Sequence, residues 1–212
     1  ELSWDAINID FQVHTNWTDG QCTVAQILDR AMELELSALT FTEHARYTSD
    51  YYPDFFAEVD ECAAERPEIT VYRGFEIKIL DRSGKLDISP EMRACADLVI
   101  ASVHSLPTSD GGRAMAREFA RDEAARLEFE LARGMLERQT ADVLSHAGGM
   151  SLRTFGASPD DYMEELVSLA ARTGVVFEIN SSYHSDSLET LLPILDRFDP
   201  KVSISSDVHR LD

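Results

Sequence analysis

Seven short apolar runs punctuate this chain: INIDFQVH (residues 7–14), SALTFTEH (37–44), ITVYRGFEIKIL (69–80), DLVIASVH (97–104), DVLSHAG (142–148), GVVFEINSS (174–182) and KVSISSDVH (201–209). Rich in Val, Ile and Phe and apolar on both faces, they read as strands buried on both sides. Such strands belong to a parallel sheet covered by helices. The stretches between them carry helix signals. Thr23 and Gln26 form a capping box ahead of Ile27, Leu28, Ala31, Met32 and Leu34, while Ser89-Pro90 and Ser158-Pro159 each pair an N-cap with a proline at the first helical position. The alternation predicts an α/β fold closed as a barrel of about seven β/α units, one short of a complete TIM barrel.

Two segments between strands carry further expectations. Arg113 to Gln139, rich in Ala, Glu, Arg and Leu, reads as a helix whose alternating charges face solvent. The Gly-rich loop SLPTSDGGR, Ser105 to Arg113, follows a strand and reads as a flexible lid. No short-period repeat or low-complexity linker divides the chain, so residues 1–212 are expected to form a single domain.

Charge narrows the partners. Nineteen Lys and Arg against 39 Asp and Glu leave a formal net charge of −20, which repels a phosphate backbone and disfavours free nucleic acid. Part of that negative charge suits the holding of divalent cations. No apolar run reaches the ~20 residues of a membrane helix, and the opening ELSWDAIN lacks the features of a secretory signal, so a cytoplasmic location is expected. Cys22, Cys62 and Cys95 stand apart and read as reduced thiols. Oligomeric state is not legible.

The chemistry lies with the histidines. Of the six, His14, His44, His104, His146 and His209 end predicted strands; His184 follows Ser181, Ser182 and Tyr183 in an expected loop and stays unassigned. In a parallel β/α barrel all strand C-termini open on one rim, so side chains distant in sequence converge there. Asp19, Glu43, Glu76, Glu178 and Asp207 belong to the same rim. Imidazole nitrogens mixed with carboxylate oxygens suit zinc, manganese or iron(II) rather than magnesium or calcium.

The ordered series Q-x-H-x₄-D (Gln12, His14, Asp19), T-E-H (Thr42 to His44), G-x-E (Gly74, Glu76), A-S-V-H-S (Ala101 to Ser105), S-H (Ser145, His146) and S-D-x-H (Ser206, Asp207, His209) resembles the PHP family, the polymerase and histidinol phosphatase domain, over nearly the whole chain. RSGKLDISPEMRACADLVIASVHS is similar to the corresponding part of PHP domains attached to family X DNA polymerases and of their stand-alone relatives. The resemblance implies a distorted seven-stranded β/α (TIM-like) barrel of PHP type. It also implies two or three divalent ions, Zn, Mn or Fe, and hydrolysis of phosphate esters. By the same resemblance, one ion takes His14, Glu76 and Asp207 with residue 12; a second takes Glu76, His104 and His146; a third takes Asp19, His44 and His209. The family normally opens on H-x-H. Gln12 replaces the first histidine, and an amide oxygen is the weaker zinc ligand, so one site is expected to be looser or to favour manganese. Glu43 stands where the family more often has Asp.

The expected activity is that of a phosphoesterase acting on a small phosphorylated metabolite or nucleotide. Glu76, His104 and Asp207 form its catalytic core, and ions sharing Glu76 activate the attacking water. Arg46, Arg113, Arg153 and Arg210 are candidate clamps for the substrate phosphate. Two rival readings stay open, a metallohydrolase of amidohydrolase type and a metal-binding module with weakened catalysis; Gln12 is the best support for the latter.

Overall fold

A computed structural model describes residues 7–157 and 160–211. One seven-stranded sheet has the order β1 (Ile9–Val13), β2 (Ala38–Ala45), β3 (Thr70–Lys78), β4 (Leu98–Ser102), β7 (Val143–Leu144), β8 (Val176–Asn180) and β9 (Val202–Ser205), with β1–β2, β4–β7 and β7–β8 paired parallel. A separate antiparallel hairpin joins β5 (Leu106–Pro107) and β6 (Arg113–Ala114). All seven expected strands are present, in the β/α class read from the sequence. The fifth shrinks to two residues because His146 turns to a φ of 26°, outside the strand region.

Between strands lie α1 (Val24–Glu33), α2 (Tyr52–Ala64), α3 (Pro90–Cys95), α4 (Arg121–Arg138), α5 (Gly149–Phe155), α6 (Asp160–Thr173), α7 (Ser181–His184) and α8 (Leu188–Phe198). The capping box of α1 forms in full: Gln26 N–H donates to Thr23 Oγ1 at 3.2 Å, and Thr23 N–H donates to Gln26 Oε1 at 2.9 Å. Its inner face is Val24, Ile27, Leu28 and Ala31, while Met32 and Leu34 lie outside. Ser89 caps α3 by accepting from Met92 N–H at 3.2 Å. The Ser158-Pro159 signal lies outside the described residues.

The helix expected over 113–139 begins only at Arg121; Arg113 belongs to β6, and residues 116–118 form a single 3₁₀ turn. Helix α4 is solvated on one side, where Arg126–Glu130 and Arg133–Glu137 pair at i,i+4. Its other side is buried through Ala124, Leu127, Leu131, Ala132, Met135 and Leu136. Composition shows the charged face; the apolar stripe decides how deeply the helix sits.

The chain groups into two compact units, one of Glu1–Glu76, Ile88–Val99 and Ile204–Asp212, the other of Ile77–Asp87 and Ile100–Ser203. In the first, Phe41, Phe55 and Phe75 are fully buried, and Phe56 stacks on Phe75 at 5.0 Å. The second centres on Ile100, Leu106, Leu131, Leu136, Val143 and Phe177. Each such side chain contributes roughly 1.5–3 kcal/mol through the water it sheds.

Within the first unit, the sheet returns to its first strand. His14 N–H donates to Val208 O at 3.0 Å, Asp207 N–H to Gln12 O at 3.0 Å and Ser206 N–H to the Asp10 carboxylate at 3.0 Å. The chain's two ends are therefore laced side by side. At Gly74 the backbone approaches so closely that a Cβ would lie 2.6 Å from Leu98 O, which explains a glycine inside β3. No helix among the described residues is long and apolar enough to cross a membrane.

Candidate metal centre

In the first unit, His14 follows the last residue of β1, His44 and Glu76 lie near the C-terminal ends of β2 and β3, and Asp207 and His209 follow β9. Asp19 is carried by the loop after β1. These residues converge. His14 Nε2 is 3.2 Å from Glu76 Oε2 and 3.1 Å from Asp207 Oδ1. His44 Nδ1 is 3.1 Å from Glu76 Oε2, and Asp19 reaches His44 Nε2 at 3.4 Å and His209 Nε2 at 3.3 Å. The His14 ring is sandwiched between those of His44 and His209, each at a centroid distance of 4.4 Å.

This arrangement fits a divalent cation. His14 Nε2 carries at most one proton, yet two carboxylate oxygens converge on it, and His14 and Glu76 are buried. Two anions around one N–H repel at short range in a poorly solvated place, and a cation between them removes that repulsion. His14 Nδ1 is also buried, with no hydrogen-bond partner among the described residues. Without an ion, burial drives the His14 pKa down, but hydrogen bonds to Asp207 and Glu76 and their charges outweigh it and lift the value to about 10. The donor sets His14–Glu76–Asp207 and His14–Asp19–His44–His209 mix nitrogen and oxygen, a combination that suits zinc, manganese or iron(II).

Two candidate ligands, one in each unit, have strained backbones. Five non-glycine residues have positive φ among those described. Glu35, Gln139 and Asp199 lie at helix C-termini, where that conformation is common. The other two are Asp207, with φ 57°, and His146, with φ 26°. Neither ends a helix; the surrounding hydrogen bonds impose the conformation, as at many functional sites.

The loop from Thr15 to Gly20 is held from several sides. Glu43, fully buried, accepts Thr15 N–H at 2.6 Å and the Thr18 hydroxyl. Trp17 stacks on Tyr51 at 6.0 Å and donates its indole N–H to Glu58 at 2.7 Å. Tyr51 in turn donates its hydroxyl to His44 O at 2.8 Å, and burial together with the Glu43 charge holds its pKa above the ordinary phenol value. Gly20 packs so tightly that a Cβ would lie 2.5 Å from His14 O.

In the second unit the His104 and His146 rings stack nearly parallel, 5.5 Å apart. Buried Glu178 accepts His146 N–H at 2.6 Å, Ser145 Oγ–H at 3.0 Å and Asn180 Nδ2–H at 3.1 Å, so its carboxylate braces the turn that presents His146. His184 corrects the sequence reading. It is buried in α7, accepts Asn180 N–H on Nδ1 at 3.1 Å and sits with Nε2 3.1 Å from Ala147 O. Burial lowers its pKa, the neighbouring His146 acts in the same direction, and the contact with Ala147 opposes them. It is a neutral structural histidine rather than an exposed loop residue.

The Ser105–Arg113 segment folds back as the β5–β6 hairpin. Four of the five Arg113 N–H donors go to its own chain: to the carbonyls of Ile79, Leu80 and Ser105 and to the Ser105 hydroxyl. Arg153 is exposed, with its guanidinium 5.6 Å from the Tyr183 ring centroid. Arg46 and Arg210 are exposed; Arg46 lies two residues after His44, and Arg210 directly follows His209. Gln12 is fully buried in β1, two residues before His14, and its backbone carbonyl accepts Asp207 N–H at 3.0 Å.

Some contributors escaped the sequence reading. Asp10 holds Ser206 through both carboxylate oxygens, and Thr15, Thr18 and Asn180 complete the bracing just described. Only an acidic residue in the strand-forming run IDFQV hinted at the first.

A parallel β/α scaffold that gathers imidazoles and carboxylates near its strand ends is of the class suited to holding divalent cations. Residues 10–182 match the family model described as the PHP domain, and the chain belongs to that family. It is 25% identical over 184 residues to the DNA polymerase/3'-5' exonuclease PolX of Bacillus subtilis (strain 168), a match covering 82% of this chain and 29% of that protein. The chain thus spans less than a third of that relative's length. Among solved structures it resembles histidinol phosphate phosphatase from Lactococcus lactis subsp. lactis Il1403, complexed with zinc, L-histidinol and phosphate. The TM-score is 0.74 at 20% identity, covering 96% of this chain and 86% of that one. The likeness is one of fold.

Proposed function

We propose that this chain is a metal-dependent phosphoesterase that hydrolyses a phosphate ester of a small metabolite or nucleotide. The observation that carries the reading is the convergence of Glu76 and Asp207 on one nitrogen of buried His14, an arrangement that calls for added positive charge. Membership of the PHP family and the zinc and phosphate held by the Lactococcus lactis phosphatase support it. The surface charge favours a small substrate over free nucleic acid.

His14, Glu76 and Asp207, joined by Gln12, hold one of two or three ions; Asp19, His44 and His209 hold another. His104 and His146 offer two further imidazoles. Zinc, manganese or iron, when bound, supplies charge neutralisation for the phosphoryl oxygens and acidifies a water. Glu76 keeps its carboxylate between His14 and His44. Asp19, more than half exposed, leaves that side of the site open to solvent, from which the leaving oxygen takes its proton. Arg46 and Arg210 contact the phosphate, whereas four of the five Arg113 donors are committed to Ser105, Ile79 and Leu80.

The buried amide of Gln12 favours a second reading, a PHP module with one weakened ion site. Metal analysis of protein purified without chelators, followed by a phosphorylated-metabolite panel with Mn²⁺ or Zn²⁺ beside an amide and lactone panel, tests both. Phosphatase turnover with bound metal supports the proposal; bound metal with no turnover on any panel supports the weakened module; turnover confined to amides or lactones overturns both.

A further inference from the structure

Glu43 is the chain neighbour of one candidate ligand and touches the chain neighbours of two others. It precedes His44 in β2; its carboxylate accepts the N–H of Thr15, which follows His14, at 2.6 Å; and it accepts the hydroxyl of Thr18, which precedes Asp19. The Thr18 hydroxyl also lies 3.4 Å from Asp19 Oδ1. Glu43 is fully buried, so it does not meet substrate. We infer that Glu43 is a positioning residue: its buried carboxylate ties the Thr15–Gly20 loop to β2 and thereby sets the spacing of His14, Asp19 and His44 around a cation. The inference rests on the metal-binding reading above and assigns within it a residue that is not itself a ligand.

The physical reason is the mismatch in mobility among these donors. His14 is locked in the core, whereas Asp19 sits on a loop with its side chain 57% exposed. A loop carboxylate left to itself samples many positions, and ordering it opposes binding. A buried anion that accepts two bonds from the loop removes that freedom before the ion arrives. Charge matters as well as reach, because a carboxylate accepts from both donors more strongly than an amide.

The test uses Glu43→Gln, which keeps size and removes charge, and Thr18→Val, which leaves Glu43 intact and removes one of its partners. Circular dichroism and the melting temperature of the metal-free proteins establish that both fold. Co²⁺ titration followed by visible absorption then reads the coordination of the ion directly. In both variants the affinity of at least one Co²⁺ falls by about 10-fold or more, as expected when a group supporting a ligand is lost, and the d–d absorption changes shape. Folded variants with the wild-type affinity and spectrum would overturn the inference alone. Wild-type protein that binds no Co²⁺ would overturn the metal-binding reading and this inference with it. Should Glu43→Gln fail to fold, Thr18→Val decides.

Discussion

Asp207 Oδ1 lies 3.1 Å from His14 Nε2, although the two residues come from opposite ends of the chain. Hydrogen bonds between β1 and the segment after β9 create that contact, and Glu76 completes it from β3. A cation there binds only the folded chain and so stabilises it. Chelation is expected to lower the melting temperature of metal-loaded wild type by several degrees and that of Asp207→Asn by much less. Equal melting curves with and without chelator in the wild type would contradict this.

Gln12 is buried two residues before His14, and its carbonyl accepts the N–H of Asp207 at 3.0 Å. Replacing it with histidine exchanges an amide for an imidazole, the better zinc ligand. Gln12→His is therefore expected to raise metal content by up to about one ion per chain. Elemental analysis checks it; unchanged stoichiometry means that residue 12 does not face an ion.

His104 stacks on His146, and the proposed chemistry needs their nitrogens. His104→Ala is expected to cut phosphatase turnover by at least ~100-fold while circular dichroism stays unchanged. A folded variant with wild-type turnover would remove His104 from the catalytic group.

Close packing makes Gly20 sensitive. A methyl group there meets His14 O at 2.5 Å, and the loop bearing Asp19 has to shift. Gly20→Ala is expected to cost about 1–3 kcal/mol in denaturant unfolding, together with weaker metal binding. A variant as stable as wild type, with unaltered metal affinity, would show that the loop yields freely.

Burial holds His184 neutral, with a folded pKa below the unfolded value of 6.5. The unfolded chain therefore takes up the proton more readily as pH falls. The stability His184 contributes is complete above about pH 6.5 and lost as pH drops through the folded value. His184→Gln is expected to flatten the fall in unfolding free energy between about pH 7 and pH 5. Identical slopes for variant and wild type would mean that the imidazole titrates alike in both states.

Particular residues show how far the linear sequence reaches. The run SALTFTEH shows its strand by apolar density and its ligand by the terminal histidine, and both are read without coordinates. His184 is misread because its burial depends on contacts with Ala147 and Phe177, which no local pattern encodes. Arg113 looks like a phosphate clamp until its hairpin draws the guanidinium onto Ile79, Leu80 and Ser105. Glu43 and Glu178 look like rim carboxylates of the same kind as Glu76, yet both spend hydrogen bonds on backbone N–H groups.

Taken alone, the sequence determined the strand and helix alternation, the α/β class, the acidic surface and the identity of most metal-ligating candidates. Those follow from periodicity and residue chemistry, which are local. Tertiary structure decided which carboxylates face an imidazole and which brace a loop, where α4 begins, and that His184 is buried. Those outcomes depend on distances between residues remote in the chain, and a one-dimensional pattern carries no distances.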